Sequence, residues 1–243
     1  IVLNSQGYTM KFTKLLTAVA FSAASLTAFA DITVQGSSFA AGAATQSTLM
    51  GTFAAYKSGA TPGAFSFAPA MGGYQGVGVA GGVNGEIDSK ESIVGTLNQA
   101  YGISQFTLGL FFDGPEYGDV EEQTEVKVQY ADSSFGTFVL TAISSTVATW
   151  TNAAGVVTNL ALADLGKGGV WSVANPFGNQ KITSIAFSAL PGVCKPGATC
   201  TSQSDFTLVS VTAVPEVETY AMMLAGLGLM GAIARRRNKA KTA

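Results

Sequence analysis

The sequence predicts an all-β, antiparallel domain, and three observations carry that prediction. Segments of four to eight residues alternate apolar and polar side chains. Clusters of Gly, Asn, Pro and Asp separate them. Between the two ends of the chain no amphipathic helix longer than two turns stands out, although Leu160–Leu165 suits a short one.

The strands follow in order. Asp31–Gln35 comes first, then Ser92–Leu97. In Ile103–Phe111 the alternation places Phe106, Leu108 and Leu110 on one face. Glu125–Tyr130 alternates strictly, and Gly136–Ile143, Val147–Thr151, Ile182–Phe187 and Phe206–Val211 complete the set. Turn residues fall between them at Asp113-Gly114-Pro115, Asn152–Gly155 and Asn175–Asn179. Short strands so punctuated argue for an antiparallel β-sandwich, jelly-roll-like, over residues 31–213. Trp150, Trp171 and Phe111 are its candidate core aromatics. Gly36–Gly85 is rich in Gly, Ala, Ser and Thr, and reads as a looser strand pair or a partly disordered stretch.

Charge narrows the chemistry. Of 243 residues 47% are hydrophobic and only 12% charged, about half the usual charged share. Between Asp31 and Val214 six lysines face thirteen acidic residues, a balance of −7, and there is no arginine. Such a surface lacks the guanidinium fork for phosphate and the basic stripe for a nucleic acid backbone, so nucleic acid is excluded as a partner. The chain has no histidine. That removes Ser-His-Asp and Cys-His catalysis and histidine-ligated zinc, and the domain is expected not to be an enzyme.

Few residues remain for a site. Cys194 and Cys200 bracket a turn, Cys194-Lys195-Pro196-Gly197-Ala198-Thr199-Cys200, and in an exported chain they read as a local disulfide. A ring of that size stabilises by about 2–3 kcal/mol in the loop-entropy account. Gly76-Val77-Gly78-Val79-Ala80-Gly81 fits a dinucleotide fingerprint only in letters: no helix pattern follows it, and it reads as a flexible loop. Glu86 and Asp88, two apart in an extended segment, share one side of the chain. With Asp113 and Asp119 in a second acidic cluster they are the candidate ligands of a structural calcium ion, the only cofactor the sequence suggests. The plainer reading of both clusters is a solvated acidic turn and a charged connection. A carboxylate pair for glycoside hydrolysis is the remotest alternative.

The two ends carry addresses. Met10, Lys11 and Lys14 precede the apolar run Leu15–Leu26, which closes on Ala28-Phe29-Ala30. A positive start, a short apolar stretch and an A-x-A close describe a secretory signal peptide over residues 10–30, cut after Ala30. Residues 1–9 are not needed by it and read as an over-extended start. At the other end Pro215-Glu216-Val217-Glu218 precedes Thr219–Ala234, sixteen residues without a charge. As a helix this is about 24 Å long, a short transmembrane span against a hydrocarbon core of about 30 Å. Arg235, Arg236 and Arg237 open the basic end, residues 235–243, and stop it on the cytoplasmic side.

Residues 214–243 resemble the PEP-CTERM sorting tail: a Pro-Glu-Pro motif, a Gly/Leu/Ala-rich helix, then arginines. Val217 stands in place of the second proline. The resemblance implies that a membrane exosortase recognises Pro215 and Glu216 and cuts near them. Phe106–Asp119 and Ser204–Glu216 also look like ectodomains joined to such tails, which implies architecture and destination only. Together these readings give a non-enzymatic exported protein. It meets the Sec translocon and signal peptidase, crosses the inner membrane of a Gram-negative-type bacterium, is held there by its C-terminal helix, and ends at the cell surface or in the extracellular matrix, in a setting of exopolysaccharide and biofilm. A carbohydrate-binding module, calcium-stabilised, is the alternative, with a polysaccharide as partner; a carboxylate glycosidase comes last.

Overall fold

The computed structural model describes residues 31–82, 85–113, 120–160, 169–194, 203–214, 226–228 and 230–231. Residues 31–214 of this set are β-rich. β1 (Ile32–Gln35) leads through a 3-10 turn at Gly36–Ser38 to β2 (Thr45–Ser47), β3 (Gly51–Ser58), β4 (Thr61–Pro62), β5 (Phe65–Ser66) and β6 (Gly78–Val79). β7 (Ser92–Gly109) is followed by β8 (Gln123–Tyr130), β9 (Phe135–Ser144), β10 (Val147–Trp150) and β11 (Val156–Asn159). β12 (Val170–Ala174), β13 (Lys181–Ala189) and β14 (Thr207–Val214) complete the described strands. Twelve of them form one curled sheet whose ladders are antiparallel, while β5 and β6 pair separately.

β7 organises that sheet. Its first half pairs with β3 (Tyr56↔Ser92 to Gly51↔Leu97) and with β13 (Ser188↔Ser92 to Ser184↔Thr96). Its second half pairs with β12 and β14 through Gly109, Leu108, Thr107, Phe106 and Gln105. Gly102 pairs with Lys181 and Val214 at once, so β13 and β14 lie on opposite edges. The halves meet at a bend, because β7 runs from Thr96 to Tyr101 while β13 advances only from Ser184 to Ile182. Asn98 pins it: its amide nitrogen donates to the Leu49 carbonyl at 2.9 Å, and its oxygen accepts from the Tyr101 hydroxyl at 3.0 Å. The two segments expected as separate strands, Ser92–Leu97 and Ile103–Phe111, are thus one bent strand. The expected face ends early, since Leu110 takes φ 53° and leaves the ladder while Phe111 turns inward.

The core fills the curl. Phe106, Leu108, Phe187, Val211 and Ile185 are fully buried. Phe106 meets Trp150 and Phe187 edge-on, with ring centres 5.3 and 5.5 Å apart. Trp171 and Phe111 are core residues as expected, and the Trp171 indole donates to the Phe111 carbonyl at 2.9 Å. Trp150 is only half-buried: its ring packs on the core against Phe106, while its indole nitrogen donates to the Pro176 carbonyl at 3.0 Å.

Two expectations are corrected. Gly36–Gly85 is not a loose pair, because residues 36–82 contain β2 to β6 and place Met50, Phe53, Phe65, Val77 and Val79 in the core. Phe39 packs against Phe53 and Phe65 at 5.6 and 4.8 Å and seals that side. The G-x-G-x-x-G run is not flexible either. Gly78-Val79 is β6, and a side chain at Gly76 or Gly78 would strike Thr207 or the Glu86 backbone. Other expectations lie outside the described residues: the signal segment 1–30, nearly all of Leu160–Leu165, and most of Thr219–Ala234. Of that last stretch residues 226–228, 230 and 231 are helical and exposed. No described helix is long and apolar enough to cross a membrane.

Phe106→Ala removes the ring at the centre of the second half of β7. The urea unfolding midpoint of the full chain is expected to fall by the equivalent of about 3–5 kcal/mol. Leu49→Ala, at a position 82% exposed, should stay within about 0.5 kcal/mol of the parent.

Candidate functional site

The segment before β7 crosses the open end of the curl, opposite the bend. Glu86 bridges to Val79, Ile87 to Phe206 just before β14, and Ser89 to Ala189 at the end of β13. It thereby joins strands paired with different halves of β7. Lys90 takes φ 73°, which turns the chain so that Glu91 folds back on Asp88. The Asp88 amide donates to a Glu91 carboxylate oxygen at 3.2 Å, and the Glu91 amide to the Asp88 carbonyl at 2.9 Å. The Gly82 amide also donates to the Glu91 carboxylate. Gly81 and Gly82 permit this approach, since a side chain at either would collide with the Glu91 or Asp88 carboxylate.

The result is a cluster of four carboxyl groups at the closure, with Asp88 and Glu91 only 5% and 3% exposed. Burial is the main reason that Glu86 is pushed up to about 8. The charge of Asp205, a side-chain hydrogen bond to it and the charge of Asp88 add to the effect. Burial likewise pushes Glu91 up to about 7, against the amide bonds that favour its anion. At neutral pH Glu86 therefore holds its proton, hydrogen-bonded to the Asp205 side chain.

The structure brings together one half of the expected calcium set and extends it. Glu86 and Asp88 face each other's charge as their spacing predicts, and Asp205 and Glu91 join them. Asp113 is largely buried two residues beyond Phe111, near the place where the Phe112 amide donates to Glu122 at 2.6 Å. Asp119 lies outside the described residues. Among the described residues no three His, Cys, Asp or Glu side chains are arranged to hold a metal ion. Cys194 has no free thiol, and Cys200 lies outside the described residues. So do Ala28, Ala30, Pro215, Glu216, Arg235, Arg236 and Arg237.

Sequence reasoning did not single out Glu91 and Asp205. Glu91 lies three residues beyond Asp88, and only the left-handed turn at Lys90 brings it back. Asp205 is 119 positions from Glu86, and only the Ile87↔Phe206 bridge, which has no local signature, joins them. No family model, no curated protein and no solved structure matches this chain.

The raised pKa values of Glu86 and Glu91 fix a pH dependence. A carboxyl group whose folded value exceeds its ordinary 4.5 stabilises the fold fully below 4.5, and that contribution fades as pH rises through 7 to 8. The melting temperature should therefore fall between pH 5 and pH 8.5. Glu86→Gln keeps a donor for Asp205 and removes the titration. It should flatten the slope and raise the melting temperature at pH 8.5 by about 2–4 °C, on the order of 1 kcal/mol after allowing for solvent screening. An unchanged slope in E86Q would contradict the shared proton.

Proposed function

We propose that this chain is an exported, non-enzymatic cell-surface or matrix protein, sorted by an exosortase in a setting of exopolysaccharide. The observation that carries the reading is the order of three features at the C-terminus. Pro215-Glu216 comes first, then the uncharged Thr219–Ala234, then Arg235, Arg236 and Arg237. A helix of that length followed by three fixed positive charges is held in lipid with its arginines on the cytoplasmic side, leaving Pro215 and Glu216 outside for recognition. The start fits the same route, as Lys11, Lys14 and the apolar run to Ala28-Phe29-Ala30 suit Sec export and signal peptidase.

The domain suits that life. It has a net charge of −7 between Asp31 and Val214 and neither arginine nor histidine there, which favours solubility over catalysis. A jelly-roll-like sandwich is the closed form we infer for the curled sheet, supported by the bend of β7 and the different partners of its two halves. We also infer that Cys194 pairs with Cys200, supported by the lack of a free thiol at Cys194 and by the oxidising destination.

Intact-mass analysis of the protein recovered from its native host tests the route. The expected species begins at Asp31, has lost residues 235–243, and takes up no alkylating reagent until it is reduced. Pro215→Ala combined with Glu216→Ala should retain the tail. A stable parent species that keeps Arg235–Ala243 would favour a plain membrane anchor and end the sorting proposal.

A further inference from the structure

At the bend of β7 the sheet carries an open groove of about 550 Å3 between the β8–β9 hairpin and the start of β13, within the usual range for ligand sites. Six of its lining residues matter: Tyr130, Asp132, Phe135, Asn179, Gln180 and Lys181. The hairpin is held tightly. The Tyr130 amide donates to the Ser134 carbonyl at 2.8 Å, and the Ala131 amide to the Lys181 carbonyl at 3.0 Å. Ser133 takes φ 70° at the tip. Asp132 accepts from the Ser134 amide at 2.9 Å and from its hydroxyl at 2.6 Å.

On this frame Phe135 is 76% exposed, although a ring of that size gains by burial. Tyr130 lies against Gly136, where a side chain would meet its hydroxyl. The exposed amides of Asn179 and Gln180 make no side-chain hydrogen bond among the described residues. The groove thus offers a flat apolar ring beside two side-chain amides, each donor and acceptor, and an exposed carboxylate that accepts.

We propose that this groove binds a neutral saccharide chain. A pyranose has an apolar C–H face, which fits the Phe135 ring, and a rim of hydroxyls that both donate and accept, which fit Asn179, Gln180 and Asp132. An anionic polymer is disfavoured: among the described residues Lys181 is the one cation lining the groove, and the domain as a whole is acidic. A protein partner is disfavoured because a single exposed ring amid polar groups lacks the apolar centre of a stable interface. The ionised Asp132, held below the ordinary carboxylate range by the Ser134 hydroxyl and amide, keeps its acceptor role at neutral pH. This deepens the matrix association proposed above. Its test is independent of tail processing, so either can fail alone.

The test is affinity electrophoresis of the full chain in lauryldimethylamine oxide, a detergent without a sugar. Native gels contain hydroxyethyl cellulose, xyloglucan, galactomannan or soluble starch, with alginate as the anionic comparison. The parent should be retarded in at least one neutral gel. Phe135→Ala should lower the apparent affinity at least tenfold, and Asn179→Ala with Gln180→Ala should do the same. Glu86→Gln, at the opposite end of the sheet, should bind like the parent, and melting curves check that each variant is folded. No retardation in any neutral gel overturns the proposal. So does retardation that survives both groove variants, or retardation in alginate alone.

Discussion

Everything in this fold hangs on the bent strand β7, which hydrogen-bonds along both edges to four strands drawn from both ends of the chain. A strand buried between neighbours must satisfy its amides and carbonyls on each side, and here the two halves do so with different partners. One continuous strand therefore belongs to two stretches of sheet, and its bend sets the curl. Glycine makes one close approach possible, since a side chain at Gly95 would strike the Phe53 ring, and Gly102 pairs with the first residue of β13 and the last of β14. The apolar residues of both halves then face one interior, where Phe106, Phe187 and Trp150 meet.

Strand identity was legible wherever one face is polar. β8 and β9 alternate because their outer face meets solvent, and Glu125–Tyr130 and Gly136–Ile143 were found within a residue or two. Legibility failed where both faces are covered. Val170–Ala174 is buried at nearly every position, so it has no alternation to read. It failed again where small residues pack closely: Gly51–Ser58 hides its strand among Gly, Ala and Ser, yet Phe53 and Ala55 are core. The bend of β7 was invisible because the alternation breaks between Leu97 and Ile103, so the strand reads as two. Only the contacts of Asn98 with Leu49 and Tyr101 show the break to be a bend within a strand.

The acidic closure illustrates the same limit at the level of chemistry. Spacing put Glu86 and Asp88 on one side of the chain, and they do share a cluster. Spacing cannot supply Asp205, which arrives through a long-range bridge, nor reveal that Gly81 and Gly82 are glycines because carboxylates occupy the space their side chains would need. Burial and the charges of Asp205 and Asp88 push Glu86 up, and burial pushes Glu91 up, so this end of the sheet holds protons that exposed glutamates would lose.

The two ends of the domain therefore differ in what they offer. Segment 86–91 closes one end by joining β14 to β13. The other end, at the bend, holds the groove and both limits of the described sheet, since Ile32 pairs with Ala213 and Val214 pairs with Gly102 beside Lys181. The acidic closure therefore lies at one end, and Val214, the last described residue of the sheet, lies at the groove end. Capture of a polymer there would draw on strands β8, β9 and β13, which cross to the termini only through β7. The proposed saccharide groove and Val214 thus flank one element, β7, since Lys181 and Val214 both pair with Gly102.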